Sequence, residues 1–392
     1  MIFYRVPHSR WLLPVIVGLT MLASACSSAI ISPAATGSTP TSIPAPDLAR
    51  ADSNLVFAAP TPTPAPILHF DTEFTDPFEI LNPLNESRSV NLDEYLRNTD
   101  PDSIAPVYSP EYISPDDAPL KVDELVMGVE INGESRAFPV GLMRNREMVN
   151  DVIGGVPVLV SWCPICFTGL VHDRRIDGEV VTFGNEGVLF MNAMTWWDHK
   201  TASVWSQPWG MAILGDLKGV QLIQIPYELT TWGAWLDDHP ATLVLTDERG
   251  FAYEPQEVTD AFVIGVAIQD QARGFYYKSV EEVGVHNDEL GQFPVAVVVN
   301  SETREIDILL RDGLGTPADD DVDVPDVLTF AHLDDGTITD VETGSSWDVE
   351  RGIALNGPLR GTHIQKVPYQ SSFDWAWNDF FPGAGLWGDR KR

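Results

Sequence analysis

Val126-Met127-Gly128-Val129-Glu130-Ile131 decides the architecture, because the chain contains the pattern twice. It returns as Val263-Ile264-Gly265-Val266-Ala267-Ile268, and Gly128 to Gly265 is an offset of 137. The same offset carries Asn150-Asp151 to Asn287-Asp288, Gly154 to Gly291 and Pro157 to Pro294. Further along the offset becomes 142. Asp198, Thr201, Ser203 and Trp205 return as Asp340, Thr343, Ser345 and Trp347. Gly215, Leu217, Gly219, Pro226 and Ala234-Trp235 return as Gly357, Leu359, Gly361, Pro368 and Ala376-Trp377. Self-similarity held in register over this length is the signature of a duplicated unit. The body is expected to be two homologous repeats, at residues 121–259 and 260–386.

Each repeat reads mainly as strands. Residues 127–140 alternate around Asn132-Gly133, the strongest two-residue hairpin signal, and Asp177-Gly178 is a second such turn. Residues 156–162 are β-branched and nearly all apolar, as a buried strand should be. Further strands are expected at 169–173, 180–183 and 220–225. Short helices are expected at 142–149 and 230–238, the second entered by Thr230 as a cap. Strands with a few helices and no regular βαβ alternation give a β-rich α+β fold of mainly antiparallel sheets, with the repeats in a pseudo-twofold arrangement.

Residues 1–25 read as an export signal. Arg5 and Arg10 make a basic start, residues 11–22 are apolar, and Ala23-Ser24-Ala25 are small. The apolar run is shorter than the roughly 20 residues that span a bilayer. Leu22-Ala23-Ser24-Ala25-Cys26 resembles a bacterial lipobox, which makes Cys26 the expected lipidation site; cleavage without lipid, or an uncleaved anchor, is the alternative. Residues 26–66 are rich in Ala, Ser, Thr and Pro and read as a spacer. Residues 67–120 read as an extension wrapping the body. Lys+Arg 24 against Asp+Glu 57 gives a formal charge of −33. Such a surface repels nucleic acid and anionic headgroups, so the membrane is expected as a partner only through the lipid. An extracytoplasmic, lipid-anchored location follows.

The chemistry-bearing stretch is Ser161-Trp162-Cys163-Pro164-Ile165-Cys166-Phe167-Thr168. Two cysteines three apart at the end of a buried strand can close a small disulfide or point two thiolates at one ion. Repeat B has Asn300 and Thr303 at their places, so the thiols are not needed to build the unit. That favours a site over a staple. Asp198, Thr201, Ser203 and Trp205 recur in both repeats and are more simply fold determinants. Gln207 and His199 are specialisations of repeat A.

With the repeat, the Cys-Pro-x-Cys strand end and the block from Asp198 to Gln207 together, the chain resembles the domain of unknown function 3179 family over about residues 125–382. The carrying motifs are Asn150-Asp151 with Gly154-Gly155, Cys163-Pro164-Ile165-Cys166, Thr182-Phe183-Gly184 and Trp205-Ser206-Gln207. The family has no assigned activity, so the resemblance implies fold and site position but no reaction. Three positions depart from its pattern. Arg146-Glu147 stands for His-Glu, Asp198-His199 for Asp-Arg, and Phe167 for the glycine that usually follows the second cysteine.

Of three readings of the cysteines, the redox dithiol leads and the other two are alternatives. A redox dithiol suits an exported Cys-x-x-Cys pair, with a redox partner or small-molecule ligand unidentified. Cys163 and Cys166 completed by His172 or His199 would make a zinc or Cu(I) site. A local disulfide that only stiffens a turn, in a non-enzymatic surface or scaffold protein whose duplication enlarges a binding face, is the third, and so short a loop gains little entropy from closure. The expected site is a cleft in repeat A around Cys163 and Cys166, flanked by His172, Asp198, His199 and Gln207, with Asp198 and Gln207 as polar candidates for catalysis. A general-base role for Glu147 is open, although a helix-surface or turn role is the simpler reading. Asp319, Asp321 and Asp323 open like a calcium loop, but Val324 and Phe330 stand where glycine and glutamate are needed. The Walker loop, dinucleotide fingerprint, HExxH and GxSxG are all lacking, which removes the common nucleotide, zincin and α/β-hydrolase readings.

Overall fold

Strand Leu125–Ile131 turns back as Glu134–Pro139 through Asn132-Gly133, and both turn residues have positive φ, 53° and 79°. That is the geometry of a type I′ hairpin, which the sequence predicts. Repeat B makes the same hairpin from Phe262–Ile268 and Gln271–Tyr276. The computed structural model describes residues 78–81, 87–90, 95–97 and 99–390, apart from 252–253, 255, 316–321 and 334–336. The expected export signal, Cys26 and the spacer lie outside the described residues. No helix among the described residues is long and apolar enough to cross a membrane.

Each repeat carries three sheets in the same order. The hairpin sheet of repeat A runs Glu228–Thr231, Leu125–Ile131, Glu134–Pro139, Leu243–Thr246 and Glu111–Ile113. Its equivalent runs Gln370–Phe373, Phe262–Ile268, Gln271–Tyr276 and Leu386–Trp387. Each contains one parallel pairing, Leu243 beside Arg136 in repeat A and Leu386 beside Gly274 in repeat B. The second sheet is Ile223–Ile225, Thr168–Asp173, Val156–Cys163 and Met148–Ile153, matched by Ile306–Leu310, Phe293–Val299 and Val285–Leu290. The third centres on Phe183–Phe190 and Ala193–Asp198, matched by Phe330–His332 and Ile338–Asp340. The β-rich α+β architecture of two repeats is therefore present, with four α-helices of seven residues each among the described residues.

The expected strand 180–183 falls across the gap between Glu179–Val180 and Phe183–Phe190, the expected strand 220–225 shortens to Ile223–Ile225, and both expected helices shift. The first helix is Val140–Arg146, not 142–149, because Met148–Ile153 is already a strand paired with Val156–Cys163. The second is Trp232–Asp238, and its cap is Thr231, whose Oγ1 accepts from Ala234 N. Thr230 is still in the strand and donates instead to the Thr303 carbonyl at 3.0 Å, across the repeat boundary.

The repeats are joined by reciprocal bonds. Thr231 N donates to Thr303 O, and its equivalent Phe373 N donates to Cys166 O at 2.8 Å. Leu229 N donates to the Tyr369 hydroxyl, and its equivalent Ser371 N donates to the Tyr227 hydroxyl. The two tyrosine rings meet at 5.1 Å. A hydrophobic core containing residues from Leu125 to Tyr369 runs through this joint. The pseudo-twofold relation is thus visible as paired contacts.

Candidate functional site

The Cys163–Cys166 turn lies at this joint. It links Val156–Cys163 to Thr168–Asp173, with Cys163 opposite Thr168. Ile165 is 52% exposed at the tip, whereas Cys163 and Cys166 are buried at 1% and 0%. Both thiols are free, and the Cys166 sulfur faces the Cys163 carbonyl at 4.0 Å. Burial, then the neighbouring Cys163, pushes the Cys166 thiol up. Phe167 follows with φ 57°, the left-handed region that explains why a glycine is usual there. Its ring holds this conformation by packing on Trp162, Phe262 and Phe373 at 4.8, 5.3 and 5.2 Å.

Alternation along the strands places Leu159, Ser161 and Cys163 on one face, with Thr168, Leu170 and His172 opposite them. Gln207 reaches this face from the third sheet, its Nε2 donating to Thr168 O at 2.8 Å and lying 3.5 Å from Ser161 Oγ. Its Oε1 has no hydrogen-bond partner. Gln207 is therefore brought to the cysteine end of the sheet.

The other expected residues are engaged elsewhere. His172 lies four residues beyond Thr168 on the same strand, about 13 Å away at roughly 3.3 Å per residue. It is fully buried against the edge of Trp196, both ring nitrogens lack partners, and burial holds its pKa well below the usual value. Asp198 closes its own turn, accepting from Thr201 N at 2.6 Å, Ser203 N at 3.1 Å and Trp205 Nε1 at 3.1 Å. Asp340 does the same with Thr343 N and Trp347 Nε1, as the recurrence predicts for a fold determinant. His199 stacks on Trp197 at 4.2 Å, and its Nε2 sits 3.2 Å from the Tyr108 hydroxyl, which donates to Asp102. Among the described residues, no group of three or more His, Cys, Asp or Glu is disposed to hold a metal ion.

Glu147 is more unusual than its sequence context suggests. It ends the first helix with φ 60°, its N–H donating to Met143 O. Repeat B places Gly284 there with φ 71°, the residue this conformation favours. The Glu147 side chain is 7% exposed, accepts from Asn185 Nδ2, and is pushed up to about 7 by burial. The signal in the sequence is a glutamate at the place where the second copy keeps a glycine. Arg146 turns away from it, to Asp247 at 2.8 Å and to Glu248.

Two cavities are prominent. One of about 410 Å³ lies between the repeats, with Glu228, Trp235, Glu350 and Lys366 in its wall. One of about 260 Å³ has Tyr108, Arg146 and Asp247 in its wall. Neither is lined by Cys163, Cys166, His172 or Gln207.

Comparison with curated proteins and with solved structures returns no match. The family described as protein of unknown function (DUF3179) matches twice, over residues 101–256 and 250–384, one match for each repeat. With most of the body covered and the duplication reproduced, the chain belongs to the DUF3179 family.

Proposed function

We propose that the protein is an exported, lipid-tethered and non-enzymatic binding or scaffold protein, in which Cys163 and Cys166 form a buried staple. The observation that carries this reading is the burial of both thiols at the repeat joint, where they line neither of the two cavities described above. Thiol exchange needs an accessible thiolate, and burial disfavours that species. Zinc or Cu(I) would need further ligands beside the two sulfurs, and His172 is displaced along its strand. A staple has a local task here despite its short loop. It fixes the turn whose carbonyl meets Phe373 N, and it braces Phe167 in a left-handed conformation. Closure forms one S–S bond and passes two electrons and two protons to an extracytoplasmic disulfide donor. The acidic surface and the lipobox-like Leu22 to Cys26 stretch support the tether.

The test is thiol and metal content of the mature protein purified without reductant, followed by Cys163→Ser. The expected result is no titratable thiol after denaturation and no stoichiometric metal. The variant should lose roughly 2 kcal/mol or less, the scale of closing so short a loop. Equilibration with glutathione well above the roughly −300 mV typical of structural bridges would replace this reading with redox exchange. Stoichiometric zinc or copper, lost in the variant, would replace it with a metal site.

A further inference from the structure

The inter-repeat cleft of about 410 Å³ has a twin that is closed. Its wall includes Gly128, Tyr227, Glu228 and Trp235 from repeat A, and Glu350 and Lys366 from repeat B. That volume suits a small molecule. The repeat offsets carry the repeat A wall to Gly265, Tyr369, Gln370 and Trp377, and carry Lys366 back to Gln224. Three further wall residues, Asp238, His239 and Arg351, become Phe380, Phe381 and Trp209. In the twin those aromatics fill the space. Trp209 packs on Phe380 at 5.4 Å and donates from Nε1 to its carbonyl at 3.0 Å, and all three rings are buried. One backbone arrangement is plugged on one side and hollow and charged on the other.

The cleft is open to solvent and keeps charged residues where the closed side keeps aromatics, and that exchange suits a polar ligand rather than packing. The charges say which kind. Lys366 Nζ donates to Glu228 at 3.4 Å and to the Glu350 carbonyl at 2.7 Å and is ion-paired with Asp307 at 2.7 Å, so its charge is already met. Arg351 turns to Asp348 at 3.3 Å. The half-buried Glu350 carboxylate, by contrast, has no hydrogen bond or ion pair among the described residues and feels Lys366 only at longer range, and the Asp238 carboxylate beside it is exposed. His239, with its side chain 10% exposed, bonds Glu130 through Nε2 and leaves Nδ1 without a partner. Unmet demand in this cleft is for positive charge.

We infer that this cleft binds a small organic ligand through a protonated amine, paired with Glu350, Asp238 and Glu228. Burial, with the crowding of like charge, pushes Glu350 up to about 7 and Glu228 up to about 8, and an arriving ammonium relieves that crowding. The ligand site goes beyond the staple proposal and does not depend on the state of the thiols.

The test is calorimetric titration and thermal shift on the full mature chain. The probes are putrescine and spermidine, with neutral 1,4-butanediol, succinate and calcium chloride beside them. Saturable binding of the amines, with a rise in Tm that the diol and succinate do not give, is expected. Glu350→Gln and Glu228→Gln should each weaken amine binding at least tenfold, with Trp209→Phe in the closed twin leaving it unchanged. Succinate binding in preference, a calcium shift equal to the amine shift, amine affinity unmoved by both Gln variants, or no saturable amine binding at millimolar concentration would each overturn the inference. Any of these leaves the cysteine result standing, because the Cys163–Cys166 turn does not line this cleft.

Discussion

The two inter-repeat clefts share a backbone plan and differ in what fills them. Around Trp235 the wall carries Asp238 and His239; around Trp377 the same helical positions carry Phe380 and Phe381. Gly128 and Gly265 serve the same purpose on both sides. A Cβ at Gly128 would meet the Trp235 ring at 2.2 Å, and one at Gly265 the Trp377 ring at 2.1 Å. Duplication therefore preserved the packing of each helix on its sheet and released the outer wall to diverge. One copy of the wall became core, and the other became a charged hollow.

The sharpest way to break this comparison is to truncate the equivalent wall residues. Trp209→Ala removes a fully buried ring from the closed cleft and should cost about 3–5 kcal/mol. Arg351→Ala, at the equivalent position of the open cleft, touches only Asp348 by ion pair and should change stability by less than about 0.5 kcal/mol. Urea unfolding of the two variants measures both. Equal losses would mean that the open cleft is also a packed core.

A second difference lies at the ends of the first and third helices, where Glu147 faces Asn185 and its equivalent Gly284 packs on His332. Burial raises the folded-state pKa of Glu147 from about 4.5 to about 7. The sign follows. Below pH 4.5 the carboxyl is protonated in both states, and its contribution is fully present. As pH rises from 4.5 to 7 the unfolded chain ionises first, and stability is lost; above 7 the loss levels off. Glu147→Gln should remove up to about 3 kcal/mol of this pH dependence. Subtracting the variant's urea unfolding curve from wild type at pH 4.5, 6 and 8 isolates the effect from Glu228 and Glu350. A flat difference would show that Glu147 reaches water.

How much of this was legible in the sequence depends on the range of the contact involved. The Asn132-Gly133 and Asp177-Gly178 hairpins and the Asp198 turn are local, and each formed where its residue types predict. The repeat was legible because recurrence needs no knowledge of contacts. The cap at Thr231 rather than Thr230 was not, since both threonines meet Thr303 of the other repeat, Thr231 through its N–H and Thr230 through the hydroxyl that a cap would need. The closed cleft depends on Trp209 meeting Phe380, 171 residues away. The candidate site suffered in the same way. Cys163 and His172 share a sheet face, but the register that separates them along it is fixed by strand pairing, which spacing alone does not give.

A smaller loss than at Trp209 or Glu147 is expected at the dyad, and it asks whether the joint is symmetric in energy as well as in form. The Tyr369 hydroxyl accepts from Leu229 N at 2.8 Å. The Tyr227 hydroxyl donates to Gly169 O at 2.9 Å and accepts from Ser371 N at 3.3 Å. Both rings are buried, so removing either hydroxyl strands a backbone group that water does not reach. Tyr227→Phe and Tyr369→Phe should each cost about 1–2 kcal/mol, within the range for an unsatisfied buried group. Tyr227→Phe should be the larger, because it strands a carbonyl and an N–H while Tyr369→Phe strands one N–H. Guanidinium unfolding with an unchanged m value separates this from a looser denatured state. If Tyr369→Phe cost the more, the repeat A side would be the tighter half of the joint, and the Cys163–Cys166 turn would be secured chiefly by Phe373 and its stacking on Phe167.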